Sequence, residues 1–372
     1  MVDLKKRLEL TVMPTERCNF RCVYCYEDFK IGRMKPWVRD GIKQLISKRV
    51  ERHGLDYLEL SWFGGEPLLA KEVVFDIAEH ASNLQQTGAI CAMGGEMTTN
   101  GYLLDRTTLT TLVELGQKRY QITLDGDEPE HNQTRRSASG VPTFETIWSN
   151  LAEAHESVLE FNITLRLHIM PGNAESLSRL VDRLIGTLAG DKRFNFFIRE
   201  ISNLGGPTSG TVAYISPQEA RVVADQLVQR FAAHDMRALN GVAGLFESQV
   251  DVYDIQKASA ESLAPPAPYI CYAAKPFHFV IRPTGKIVKC TVDFDSDRNA
   301  VGTLHADGTI TLDNAKMAFW ARGYQTGNKI ELGCPAYAKS LEIKPPGQVS
   351  MGDSIHATDP VVEMSQDRAA SA

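Results

Sequence analysis

Hydrophobic residues in the first two thirds of the chain alternate between strand-like and helix-like spacing. Residues 8–15 and 57–62 read as strands, and apolar positions recur at helical spacing over residues 38–50 and 74–81. The segment "FNITLRLHIM" alternates strictly, with Asn162, Thr164, Arg166 and His168 on its polar face. Counting a final helix that Ser216 would cap, six strand–helix units predict an α/β fold with a parallel sheet, open or curled into a partial (β/α)6 TIM-like barrel.

The alternation of strand-like and helix-like segments ends at the Pro- and Ala-rich stretch 259–269. Two strand pairs follow, one around the turn Pro-Thr-Gly in "FHFVIRPTGKIVKCTV" and one around Ala-Asp-Gly in "GTLHADGTITL". We therefore predict a barrel domain over residues 1–240, a linker region over 241–269 and a small β-rich module over 270–344. Residues 345–372 lack periodicity, and we expect a disordered tail there.

Composition excludes some classes of protein. The chain is 43% hydrophobic and 23% charged, and no stretch approaches the roughly 18 apolar residues of a membrane span. The N-terminus has no apolar export segment, so we expect a cytoplasmic protein without a membrane partner. A net charge of -6 argues weakly against nucleic acid as a partner.

Three cysteines cluster in the stretch "CNFRCVYCYE", where Cys18, Cys22 and Cys25 follow the first predicted strand and Tyr24 precedes the last of them. A structural zinc site wants four protein ligands, whereas an iron–sulfur cube held by three cysteines keeps one iron open for chemistry. Buried thiols or a zinc knuckle are the structural alternative. The position at the C-terminal end of a strand is where barrel enzymes build their active sites.

The cysteine motif, followed in order by "FGGEP", "TTNG", "ITLDG" and "HNQTRR", resembles that of the radical S-adenosylmethionine (SAM) enzymes. The resemblance implies a [4Fe-4S] cluster on Cys18, Cys22 and Cys25 whose open iron is chelated by the methionine moiety of SAM. One-electron reduction would cleave SAM to methionine and a 5'-deoxyadenosyl radical, which abstracts a hydrogen atom from the substrate. A flavodoxin- or ferredoxin-type protein would supply the electron.

The resemblance also implies a set of SAM contacts. Glu66 and its flanking backbone would accept from the ammonium group, and Arg135 would meet the carboxylate, although Asn132 departs from the usual Asp. Whether Arg166 and His168 line this pocket or are structural stays open. The residues expected at SAM are Tyr24, Gly64, Gly65, Glu66, Thr98, Asn100, Thr123, Asp125 and Arg135.

A second cysteine set, Cys271, Cys290 and Cys334, lies in the β-rich module. Its Gly-x4-Cys hairpin resembles the SPASM/twitch auxiliary-cluster domain, but too few cysteines remain for two clusters. The resemblance implies at most one auxiliary [4Fe-4S] cluster, with a fourth ligand from the substrate or from His278, Asp293 or His305; a zinc site or a metal-free module is the alternative. Isolated Cys91 is expected to be buried and unliganded.

Relatives with such a module mostly modify peptides, so we expect a maturase that acts on a ribosomally made precursor peptide or protein. A sulfatase-maturase-like enzyme is the rival. In those enzymes an aspartate that serves as catalytic base directly follows the Gly-x4-Cys cysteine, but here that position is Thr291. A non-enzymatic zinc scaffold is a distant alternative. Because Cys18 comes early, recognition of a leader peptide is expected to use the barrel and module surfaces or a separate protein. No catalytic acid or base can be assigned.

Overall fold

The computed structural model describes residues 4–241, 270–294 and 296–336, together with the backbone of Val362–Met364. The predicted linker from residue 242, the boundary between barrel and module, and the rest of the predicted tail lie outside the described residues. Within the described part, no helix is both long and apolar enough to span a lipid bilayer.

Six parallel strands form the centre of the sheet, which confirms the predicted α/β partial barrel. In their order across the sheet they are β1 Arg7–Val12, β3 Leu55–Trp62, β4 Ile90–Thr99, β5 Arg119–Leu124, β7 Asn162–Ile169 and β8 Phe194–Glu200. Three short strands accompany them, β2 Phe20–Cys22, β6 Arg135–Ser137 and β9 Ala238–Asn240.

Seven helices connect these strands: α1 Pro36–His53, α2 Lys71–Gln86, α3 Arg106–Glu114, α4 Glu128–Thr134, α5 Phe144–His155, α6 Ala174–Leu188 and α7 Pro217–Ala232. The last begins as predicted, because Ser216 and Glu219 form a reciprocal capping box.

The two faces of the barrel sheet differ in polarity. Outward side chains such as Leu10 and Leu60 are fully buried in one apolar cluster that includes Ile42 of α1 and Ile77 of α2. Inward positions are polar, and Glu9, Thr11, Glu59 and Ser61 line an interior cavity of about 210 Å³. A polar interior of this kind is suited to ligands rather than to core packing.

The β-rich module continues the barrel sheet. Its first strand pairs parallel with β1, placing His278 opposite Glu9, and both predicted hairpins are present as antiparallel pairs. A three-residue strand, Val362–Met364, pairs parallel with the last strand of the second hairpin. The elements are β10 His278–Ile281, β11 Lys286–Val288, β12 Ala300–Leu304, β13 Ile310–Leu312, β14 Val362–Met364, α8 Asn314–Thr326 and α9 Lys329–Gly333.

Candidate active site

The N-terminal cysteine set, Cys18, Cys22 and Cys25, lies in the segment between β1 and α1, and its thiols are free and partly buried. Strand β2 pairs antiparallel with β6, which puts Cys22 opposite Arg135. The backbone amide of Phe20 donates to the Cys18 sulfur at 3.3 Å. Amide bonds to sulfur of this kind are a feature of iron–sulfur sites, where they tune the reduction potential.

Electrostatics at these thiols fit a polynuclear cluster. Burial raises the pKa of Cys18 to about 12, with the carboxylate of Glu66 and the other two thiols adding to the effect. Burial and the neighbouring Cys22 likewise raise the pKa of Cys25 to about 12. Three such thiols become thiolates only beside a strong positive charge, which bound iron provides.

No three or more His, Cys, Asp or Glu side chains in the described part of the chain converge on a single metal ion. An iron–sulfur cube binds one thiolate at each of three separate irons, whereas a structural zinc site takes four protein ligands on one ion.

Gly64 and Gly65 lie against the backbone that leads to Cys18. A Cβ atom on Gly64 would come 2.2 Å from the Thr15 carbonyl oxygen, and one on Gly65 would come 2.5 Å from the Arg17 carbonyl group. Gly64 also has a φ of 120°, which favours glycine. The two glycines are therefore needed here to bring β3 close to the cysteine segment; their contact with SAM stays a prediction.

Glu66 is fully buried and takes three donors from the protein. Its Oε1 accepts from the Leu68 amide at 3.0 Å and the Thr99 hydroxyl at 2.8 Å, and its Oε2 accepts from the Asn100 amide at 2.7 Å. Asn100 in turn donates to Asn19, beside Cys18, at 2.8 Å. Glu66 thus joins the ends of β3 and β4 to the cysteine segment, and its predicted contact with the SAM ammonium group would use the remaining acceptor capacity.

Tyr24, Asp125 and Arg135 form one hydrogen-bonded network, although they are far apart in sequence. The Tyr24 hydroxyl donates to the Asp125 carboxylate at 2.8 Å and accepts from the Arg135 guanidinium at 2.7 Å. Asp125 also accepts from the Thr134 hydroxyl at 2.8 Å, and the Nδ1 atom of His168 lies 3.2 Å from its Oδ1. The structure therefore brings three predicted site residues together and adds His168 to them.

Ionisation states in this network follow from burial and pairing. Burial alone would raise the pKa of Asp125, but the hydrogen bond from His168 and the positive charge of Arg135 outweigh it and hold that pKa below its usual range. Burial lowers the pKa of His168 to about 4, so its ring is a neutral donor at physiological pH. The network carries one carboxylate and one guanidinium.

The remaining predicted SAM contacts are dispersed along the barrel interior. Thr98 lines the interior cavity, and Thr123 is buried on β5. On the polar face of β7, the Thr164 hydroxyl is buried without a partner among the described residues. Arg166 and Arg199 lie near each other on adjacent strands, and neither has a carboxylate partner in the described chain.

The C-terminal cysteine set, Cys271, Cys290 and Cys334, lies on the module face next to this site. The Val292 amide donates to the Cys290 sulfur at 3.4 Å, as Phe20 does to Cys18. Burial raises the pKa of Cys290, and the nearby Cys334 thiol contributes to that rise. These contacts are compatible with an auxiliary cluster, which stays a prediction.

The three candidates for a fourth ligand are placed differently. Asp293 lies beside Cys290, and Arg298 binds only its Oδ2 atom, at 2.9 and 2.7 Å. His278 bonds to Thr11 through Nε2 at 2.9 Å in the barrel interior. His305 bonds to Thr311 at the exposed end of the second hairpin. Asp293 is therefore the best placed of the three.

Two residues that sequence reasoning missed lie between the cysteine sets. Tyr26 is close to both Cys25 and Cys290 and lies near Thr291, whose hydroxyl is hydrogen-bonded to that of Tyr272 at 2.7 Å. Next to it, burial raises the pKa of Glu27 to about 8, with the Glu16 carboxylate as the second cause. Their adjacency to Cys25 was the one available signal.

The prediction of a buried Cys91 is wrong, because this cysteine is exposed. It is the second residue of β4, and Ala92 beside it is also exposed. Ile90 before it is buried, and burial on this strand resumes only with Gly94 and Gly95.

Comparison with known proteins supports this picture. A family model described as the Radical SAM superfamily matches residues 12–184. A GTP 3',8-cyclase of Microcystis aeruginosa is 29% identical over 217 residues, covering 57% of this chain and 62% of the relative. A GTP 3',8-cyclase of Rippkaea orientalis is 32% identical over 182 residues, covering 47% of this chain and 53% of the relative. The chain thus spans less than two thirds of the length of either.

Solved structures resemble the chain over most of its length. Native anSMEcpe with bound AdoMet and Kp18Cys peptide has a TM-score of 0.59 at 20% identity, covering 86% of this chain and 82% of that one. Streptococcus suis SuiB bound to the precursor peptide SuiA has a TM-score of 0.59 at 14% identity, covering 87% of this chain and 67% of that one. At these identities the likeness establishes a shared fold.

Proposed function

Because the chain carries a radical SAM domain in residues 12–184, we propose that it cleaves SAM reductively and abstracts a hydrogen atom from a peptide or protein substrate. Its role would be the maturation of a ribosomally made peptide. The observation that carries the proposal is a cavity of about 470 Å³ that is lined by Tyr26, which lies near both Cys25 and Cys290, and by Val292, whose amide donates to the Cys290 sulfur. The proteins anSMEcpe, a sulfatase maturase, and SuiB have this fold and hold peptides in their structures.

Cofactor binding would fall to the N-terminal cysteine set, and the [4Fe-4S] cluster, when bound, supplies the electron that cleaves SAM. Arg135 offers its positive charge to the SAM carboxylate, with Tyr24 and Asp125 fixing the guanidinium in place. Gly206 and Thr208 lie against the cysteine segment, since Gly206 packs on the Tyr26 backbone and the Thr208 hydroxyl donates to the Cys25 carbonyl at 2.8 Å. This packing would limit the access of water to a reactive radical.

Electron and proton balance gives the second cysteine set a role. Cleavage of bound SAM would supply the chemistry that removes one hydrogen atom from the substrate. Closing a crosslink would then require the substrate to lose one further proton and one electron. In this proposal, a group held by the C-terminal cysteine set would accept this electron.

A nucleotide substrate is the second candidate, because the curated relatives are GTP 3',8-cyclases. Two features bear on it in opposite directions. Arg166 and Arg199 have no carboxylate partner among the described residues and could meet a phosphate. The cations of the interior cavity are already paired, however, since Arg7 and Lys275 both bind Glu9, at 2.7 and 3.1 Å.

The test is SAM cleavage by the anaerobically reconstituted enzyme with dithionite as reductant. A random peptide library, GTP and a cysteine-containing sulfatase peptide are added separately. The amount of 5'-deoxyadenosine and the masses of substrate and product are then measured. Cys25→Ala is the control, because it removes one ligand of the cluster without touching the module.

We expect the peptide library to stimulate cleavage and to yield modified peptides with the wild type alone. Stimulation by GTP together with its consumption, and no effect of peptides, would overturn the proposal in favour of nucleotide chemistry. Formylglycine in the sulfatase peptide would favour the sulfatase-maturase alternative.

A further inference from the structure

A cavity of about 470 Å³ near Cys25 and Cys290 is walled by residues 26–28, 204–207 and 292–294 together with Glu16, Lys30 and Arg282. Two wall residues adjoin the cysteines. Glu27 follows Cys25 by two positions in the chain, and the Val292 amide donates to the Cys290 sulfur at 3.4 Å. A group bound in this cavity would therefore lie beside both cysteine sets.

Most carboxylates that line the cavity are already paired with a positively charged side chain. Arg282 donates two hydrogen bonds of 2.7 Å to Glu16, and Lys30 lies 2.8 Å from Asp28. Asp293 is paired with Arg298, which lies outside the cavity lining, at 2.7 Å.

Glu27 is the exception among the described residues. Its side chain is buried, with the residue 7% exposed, and its Oε1 atom has no hydrogen-bond partner in the described chain. Arg282 is the nearest cation, but Glu16 occupies it in a two-bond pair. Leaving a carboxylate buried without a cation is costly, which is expected where a ligand supplies the missing charge.

The rest of the wall is apolar. Leu204 is 47% exposed, and Pro207, Val292 and Phe294 also line the cavity. An aliphatic chain that ends in a positive charge matches this combination, because its stem packs on apolar surface while its head meets the carboxylate. A metal ion fits less well, because no three potential ligands in the described part of the protein converge on one point.

We infer that this cavity binds a lysine or arginine side chain of the substrate, with the Glu27 carboxylate as partner of its cationic end. The inference rests on the proposed function, because it takes the substrate to be a peptide. Anchoring one basic residue between the cysteine sets would fix which neighbouring residue meets the 5'-deoxyadenosyl radical.

The experiment is selection from a random peptide display library on the reconstituted holoenzyme with SAM. Wild type, Glu27→Gln and Asp28→Asn are compared. Asp28→Asn is the matched control, because it removes the same charge from the same cavity at a carboxylate that already has Lys30 as its partner. Iron content is measured on each variant to verify that the clusters are retained.

We expect wild type and Asp28→Asn to enrich peptides with a lysine or arginine at one position, and Glu27→Gln to lose that preference. A synthetic copy of an enriched peptide is then made with norleucine in place of the basic residue. Wild type should bind this copy at least about tenfold more weakly than the parent peptide, whereas Glu27→Gln should bind the two peptides equally.

Enriched peptides without a basic residue, or equal binding of the norleucine peptide by wild type, would overturn the inference and leave a peptide substrate intact. Absence of any enriched peptide with all three proteins would instead overturn the proposed function, and the inference with it. If Glu27→Gln fails to bind iron, the norleucine comparison on wild type alone still decides the question.

Discussion

Replacing His131 by leucine should make the protein more resistant to acid. The ring of His131 is fully buried at the end of α4, edge-on to Phe144 with ring centroids 5.4 Å apart, and neither ring nitrogen has a partner in the described chain. Burial and the neighbouring Arg135 together lower its pKa from 6.5 to about 3, although Asp125 opposes the shift.

The sign and size of the effect follow from proton linkage. Between the unfolded and folded pKa values, the unfolded chain binds a proton that the folded protein cannot take up, so stability falls as the pH falls below about 6.5. Each pH unit costs about 1.4 kcal/mol, so roughly 2.7 kcal/mol is lost by pH ~4.5. His131→Leu removes this loss.

The assay is urea unfolding of the metal-free, reduced protein at about pH 7.5 and pH 4.5, a window set by the pKa shift of His131. At the higher pH the variant should be within about 1 kcal/mol of wild type, because removing unpaired polar atoms offsets the changed packing. At the lower pH it should be more stable by about 2 to 3 kcal/mol.

Other groups titrate in both wild type and His131→Leu. The effect of His131 is therefore the change with pH in the difference between their free energies of unfolding. His234→Leu is the control, since that imidazole is exposed. If the difference between His131→Leu and wild type were the same at both pH values, His131 would not be buried in its neutral form, and the reasoning would fail.

Three further predictions concern the site itself. Wild type should bind about eight irons per chain, and the triple alanine variant of the N-terminal cysteine set should bind about four. If wild type binds about four and the variant none, an auxiliary cluster is excluded. Tyr24→Phe should lower the free energy of unfolding by about 1 to 3 kcal/mol, because it deprives the buried Arg135 guanidinium of an acceptor. Unchanged urea midpoints would contradict that network. Gly206→Ala should hasten iron loss in air several-fold, since its Cβ would lie 2.2 Å from the Tyr26 carbonyl oxygen. Gly210→Ala has a similarly positive φ of 84° but open space around it, and it should behave like wild type; equal iron loss in the two would refute the packing argument.

Much of the architecture could be predicted because its signals are local. Six strand–helix units, two hairpins and the capping box at Ser216 each depend on residues within a few positions of one another. The proximity of several motif residues was also predictable, since motifs at the ends of parallel strands meet at one edge of the sheet. Glu66 accordingly accepts from Asn100, and Tyr24 donates to Asp125, whereas their contact with SAM stays a prediction.

What could not be predicted depends on which partner each side chain finds. Tyr24 bonds to Asp125 and Arg135, 101 and 111 residues away, and nothing in the spacing distinguishes this from direct contact with a ligand. The close packing of Gly65 against the backbone of Arg17 was likewise not readable from the sequence, and the contact of Gly65 with SAM stays a prediction. Exposure of Cys91 depends on the interruption of burial between Ile90 and Gly94 on β4, which periodicity does not determine.

Continuity of the sheet explains how the two cysteine sets come to face each other. Strand β1 leads into the N-terminal set, and β10, its parallel neighbour, leads through β11 into Cys290. Because β1 and β10 are hydrogen-bonded in register, the ends of the two connections are fixed relative to each other by backbone pairing. The ion pair between Glu16, next to the first strand's end, and Arg282, directly after β10, ties the same two segments together. Breaking that pair with Glu16→Gln should therefore disturb both cysteine sets, whereas loss of Glu27 should affect the occupant of the cavity between them.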